Sequence, residues 1–161
     1  MTGELDEMAQ EFEAANAEAI AFVEGCRDGQ WTTMVPGEDW PVGVVLHHIA
    51  AGHKQMTDWL TRARGGRAIT ITAADIDDDN ARHAGRYAGV SPAETLDQLR
   101  RHGAALAHLL RSLGPRELDT AVAFGPAGGR EFTVRQLAPV AAGHCRGHLA
   151  DARAALESPS G

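Results

Sequence analysis

The 161-residue sequence holds only two cysteines, Cys26 and Cys145, and a single tyrosine. Two thiols make no disulfide framework, so a reducing cytoplasm is the expected compartment. No apolar run approaches the ~20 residues that a membrane helix requires. The opening MTGELDEMAQEF is acidic and lacks an apolar centre, so a secretory signal is not expected. Positive charge is also short. Lys and Arg number 15 against 22 Asp and Glu, a formal net charge of −7, which argues against a broad face for nucleic acid.

Several catalytic signatures are missing as well. There is no G-x-S-x-G and no H-E-x-x-H, which excludes the common serine hydrolase and the zincin protease. The glycine-rich GPAGGR has no following Lys-Ser/Thr, so it is no phosphate loop. DIDDDN begins like a calcium loop, but Asn80 takes the glycine position and Arg86 replaces the closing glutamate. A solvated acidic segment is the expectation there.

What remains is an ordinary globular composition, 43% hydrophobic and 23% charged, with eight histidines as its unusual feature. The length suits one domain over 1–161, enough to bury ~68–70% of the unfolded surface. Apolar spacing predicts an all-α chain of four amphipathic helices. Helix 1, about 3–28, carries Leu5, Met8, Phe12, Ala15, Ala19, Phe22 and Cys26 on one face, with a solvated acidic face elsewhere. Helix 2, about 41–64, starts at Pro41 and stops at RARGGR. Helix 3, about 92–113, opens with the S-x-x-E box Ser91–Glu94 and carries Leu96, Leu99, Leu106, Leu110 and Leu113. Helix 4, about 134–157, opens with Thr133 and Gln136 and carries Val134, Leu137, Ala141, Leu149, Ala152 and Leu156. The 65–91 link has room for a short helix near 75–87, and AVAF and REFTV in the 114–132 link suit an irregular hairpin.

His144 and His148 stand four apart, on one face of helix 4 with Ala141, Ala152 and Ala155. Imidazoles turned towards small residues need hydrogen-bonding partners or a metal, and both readings stay open on spacing alone. Helix 2 offers a third candidate. His48 shares a face with Val44, Gly52, Gln55 and Trp59, whereas His47 shares one with Gly43, Ala51, Lys54 and Asp58 that reads as outward. Three imidazoles from two helices would leave metal positions open, as catalytic sites require. His53, His83, His102 and His108 read as surface or loop residues. Cys145 is expected to be a small buried hydrophobe rather than a ligand or nucleophile, and Cys26 a core residue. Gly143 and Gly147 would allow close helix approach, within the bundle or between two copies.

Trp40 precedes His48 by eight residues in WPVGVVLHHIA. An asparagine follows in DDDNARH, then SPAETL, then a glycine-rich link into FTVRQLAPVAAGHCRGHLADAR. This order resembles the DinB-like superfamily (DinB/YfiT-like proteins, related to the N-terminal domain of mycothiol-dependent maleylpyruvate isomerase). The resemblance covers essentially the whole chain, except that Pro41 replaces a frequent Ser or Thr. The isomerase's extra C-terminal domain is not expected here. The resemblance implies a four-helix bundle with a long crossover between helices 2 and 3. It implies a divalent metal, zinc or nickel, held by His48, His144 and His148. Gln55 and Trp59, further along the His48 face of helix 2, are expected to shape a substrate pocket. It implies a metal- and thiol-dependent S-transferase that joins a mycothiol-like low-molecular-weight thiol to a small electrophile. The alternatives are a metal-dependent small-molecule hydrolase and a non-catalytic metal- or ligand-binding bundle. A homodimer is compatible with each reading, and no nucleic acid or membrane partner is expected.

Overall fold

Three- and four-residue apolar spacing closes into helices that bury their stripes against one another. The computed structural model describes residues 2–157. They run through α1 (Thr2–Gly25), α2 (Asp28–Trp31), β1 (Met34–Val35), β2 (Trp40–Pro41) and α3 (Val42–Arg64). Next come α4 (Ala73–Arg86), α5 (Pro92–Ser112), α6 (Pro115–Leu118), β3 (Ala121–Phe124), β4 (Arg130–Thr133), α7 (Val134–Leu137) and α8 (Val140–Glu157). The long helices α1, α3, α5 and α8 form a four-helix bundle. α5 and α8 each pack against both α1 and α3, which places α1 and α3 across a diagonal. The long crossover between α3 and α5 carries α4.

The predicted caps form. Ser91 and Glu94 exchange side-chain and backbone hydrogen bonds at the start of α5, as Thr133 and Gln136 do at α7. The hairpin pairs antiparallel, from Ala121 opposite Thr133 to Phe124 opposite Arg130, and GPAGG is its loop. DIDDDN lies within α4, where its carboxylates cannot wrap around an ion.

Some boundaries differ from expectation. Helix 1 ends at Gly25, and an extended Arg27 (φ −91°, ψ 161°) begins the separate α2. The fourth helix is broken between α7 and α8 around Pro139, which has no N–H to continue the ladder and crowds the preceding turn. Cys26, Phe22, Leu96 and Leu156 are half-buried at the edge of the core, while Ala9 and Val23 of α1 are inside it. The acidic face of α1 is exposed but bordered by arginines of its neighbours, with Glu13 on Arg111 at 2.6 Å and Glu11 on Arg146 at 2.8 Å. A Cβ on Gly143 or Gly147 would meet nothing within 4 Å, so neither glycine serves close approach inside the bundle.

The core is two apolar clusters. One gathers Phe12, Met56, Leu60, Leu106, Leu110 and Leu137, the other Ala15, Ala19, Leu46, Ile49, Leu99, Cys145 and Leu149. Polar side chains lie at the seam. Asn16 Nδ2 donates to the Leu99 carbonyl at 3.0 Å, so its Oδ1 accepts from His53 Nε2 at 2.9 Å. Gly103 makes room, since a Cβ there would lie 2.1 Å from Asn16 Nδ2. His53 is thus a fully buried core residue, not a surface one. The spacing could not reveal this because its partner is on another helix. Among the described residues no helix is long and apolar enough to cross a membrane.

Candidate metal centre

His48 on α3 and His144 and His148 on α8 converge at the seam between the clusters. One ring nitrogen from each lies within 4.8 Å of the other two. His144 Nε2 and His48 Nε2 are 3.2 Å apart. Two ring nitrogens that close need a proton or a cation between them, because facing lone pairs repel. Two imidazole nitrogens at ~2.0–2.1 Å from a tetrahedral zinc would be separated by roughly 3.3–3.4 Å. The observed pair therefore fits a shared ion with almost no adjustment.

The backbone makes room for this arrangement. A Cβ on Gly52, one turn beyond His48, would sit 2.6 Å from His144 Cε1, so the ring lies in a cradle that only glycine leaves open. Trp40 stands edge-on to His48 with ring centres 5.1 Å apart. His148 Nδ1 is 2.7 Å from Glu38 Oε1. Burial, reinforced by neighbouring histidines, pushes the pKa of His48 down to about 3, and burial with His148 pushes that of His144 down to about 4. At neutral pH both rings are uncharged and offer lone pairs, the form in which imidazole ligates.

The cluster opens into a cavity of about 480 Å³. Trp40, Met56, Trp59, Ile76 and Val140 supply apolar wall, and Gln55 and Asn80 supply amides. Gln55 and Trp59 are therefore at the cavity, as their place on the His48 face predicts. Among the described residues, Glu38 is the one carboxylate of the lining, which includes no Lys or Arg.

Cys145 takes no part. Its thiol is buried, donates to the Ala15 carbonyl at 3.4 Å, and has its pKa pushed up to about 12 mainly by burial. It is the buried hydrophobe expected.

His47 and His83 depart from the sequence reading. His47 is 2% exposed, stacked on Tyr87 at 3.9 Å between ring centres, with Nδ1 3.1 Å from His83 Nε2. Its face reads as outward because Lys54 and Asp58 share it, but α4 and the residue that caps it cover that end of α3. His83 is half-buried between His47 and Trp40 rather than on a free loop. Ile76, Asn80, His83 and Tyr87 follow helical spacing, so the contacts that dock α4 also bring Ile76 and Asn80 to the cavity. Glu38 is the other residue that spacing misses. It lies ahead of α3, in the turn between β1 and β2, outside every helical stripe.

Fold and site together define a four-helix bundle with an internal three-histidine cluster at an open cavity. The DinB superfamily model matches residues 11–152, and the chain belongs to that superfamily. YfiT from Bacillus subtilis, described as a probable metal-dependent hydrolase with an unusual four-helix bundle topology, has a similar structure. The TM-score is 0.79 at 21% identity, over 94% of this chain and 85% of that one, a likeness of fold. A search of curated proteins gives no match.

Proposed function

We propose that this protein is a metal-dependent enzyme that transfers a small thiol to a neutral, largely apolar electrophile, with His48, His144 and His148 as metal ligands. The observation that carries the reading is the set of three converging imidazoles beside an apolar cavity. Neutral imidazoles suit zinc or nickel, and three of them leave coordination positions for a substrate. A divalent ion there supplies the positive charge that keeps a thiol as thiolate at neutral pH.

The chain's own residues do the rest. Trp40, Trp59 and Met56 exclude water and present flat apolar surface to the electrophile, while Gln55 and Asn80 offer hydrogen bonds to a neutral polar group. With no Lys or Arg among the described residues of the lining, no side-chain cation there recognises an anionic electrophile. The thiol gives its proton to solvent water, its sulfur forms a bond to the electrophilic carbon, and the bond from that carbon to the leaving group, a halide in the test below, breaks with its electrons going to the departing halide. A mycothiol-like compound is the proposed thiol. The second reading, hydrolysis with water as nucleophile at the same centre, is supported by the description of YfiT.

The test starts with metal content by mass spectrometry on untagged protein and on a His144→Ala variant. About one metal per chain, lost in the variant, is expected. Metal-loaded protein is then given a neutral aromatic halide with and without thiol. A thioether product supports transfer, and a hydroxylated product formed without thiol supports hydrolysis. No metal in either protein, after incubation with zinc and nickel, sinks both.

A further inference from the structure

We infer that Glu38 is a positioning residue of this centre, fixing the tautomer of His148 and so selecting the nitrogen it offers to a metal. The inference rests on the metal-dependent reading above. A neutral imidazole has one N–H and one lone pair. A carboxylate oxygen carries no proton, so in the 2.7 Å contact His148 Nδ1–H donates to Glu38 Oε1. The lone pair is then on Nε2. The opposite tautomer would leave Nε2 with a proton and nothing to donate to an ion.

The local backbone puts Glu38 there. It belongs to a four-residue turn, 36–39, closed by pairing of Val35 with Trp40. Gly37 has φ +88°, and Asp39 has φ +56°, the one positive value at a non-glycine position among the described residues. Positive φ is uncommon outside glycine, and aspartate is among the few side chains that adopt it readily in a tight turn. Here the residue before Asp39 places a carboxylate on His148, and the residue after it places an indole on His48. The turn at Asp39 therefore joins contacts to two of the three histidines. Glu38 Oε2 is buried without a partner, a desolvation that a turn serving only to reverse the chain would not incur. Glu38 is also part of the cavity lining.

The experiment compares the wild-type protein with Glu38→Ala and Glu38→Gln by two readouts. Zinc affinity is measured by competition with a chelator. In the metal-free proteins, imidazole ¹⁵N shifts report which nitrogen of His148 carries the proton. Nδ1–H is expected in the wild type, with affinity about 10–100-fold weaker in Glu38→Ala. Glu38→Gln, whose amide oxygen can accept the same hydrogen bond, is expected to keep most of the affinity and the tautomer. Unchanged affinity in Glu38→Ala, an Nε2–H tautomer in the wild type, or equal losses in both variants would overturn the inference. If the wild type binds no zinc, the proposed function fails, and the nitrogen shifts still decide the part assigned to Glu38. If Glu38→Ala does not fold, the wild type and Glu38→Gln carry both readouts.

Discussion

Gly52 has no chemistry of its own, yet the His144 ring depends on what it lacks. A methyl group at that position would begin 2.6 Å from His144 Cε1, inside any tolerable contact. Alanine suits a helix better than glycine by about 1 kcal/mol, so Gly52→Ala should leave the fold intact and displace the ring. The expected outcome is an unchanged helical circular dichroism signal with at least tenfold weaker zinc binding, followed by calorimetry. Retained affinity would mean that α3 and α8 yield locally. At this scale the sequence carries part of the site. The i, i+4 spacing of His144 and His148 and the shared face of His48, Gln55 and Trp59 were readable because they are properties of single helices. The burial of His53 and His47 was not. Each depends on a residue of a distant segment, Asn16 for one and His83 for the other.

α4 is the element whose docking is least conventional. It has no fully buried side chain, and its attachment rests on His83 and the capping Tyr87 stacked against His47. Tyr87→Ala removes the larger part of that stack. Faster amide exchange confined to residues 73–86 is expected, with a loss of about 1 kcal/mol in global stability. Exchange spread evenly over the bundle would instead show that α4 opens only with the whole fold. The existence of this helix was legible only in the room that the long 65–91 link leaves for it. Its role as a wall of the cavity was not, because Ile76 and Asn80 acquire meaning only once α4 lies across α3. Pro139 is the complementary case. The residue that breaks the fourth helix was in plain view, but the continuous apolar stripe on either side hid the break.

Over the whole molecule, acid should act through several histidines together. In the metal-free protein the pKa values of His48 and His53 are pushed down to about 3, and those of His83 and His144 to about 4, by burial first and neighbouring histidines second. The unfolded chain takes up protons near pH 6.5, whereas the folded chain does so only near pH 3–4. Their stabilising effect is therefore complete above about pH 6.5 and is lost as pH falls towards the folded values. Each proton taken up on unfolding makes stability fall by about 1.4 kcal/mol per pH unit. Urea unfolding of the metal-free protein at pH 7, 6 and 5 should show a falling midpoint and an uptake of more than one proton. A flat profile would mean that the rings are protonated in the native state.

The seam between the two apolar clusters has one more consequence. His48 and the His144–His148 pair come from helices separated by roughly half the chain, and Glu38 from a turn ahead of the first. These donors share no neighbourhood until the bundle has closed. A nascent chain that has released only α3 displays His48 without the His144–His148 pair, and competes weakly for metal in its surroundings. On the metal-binding function proposed above, selection among metals would be deferred to the finished cavity, where geometry rather than raw affinity can decide.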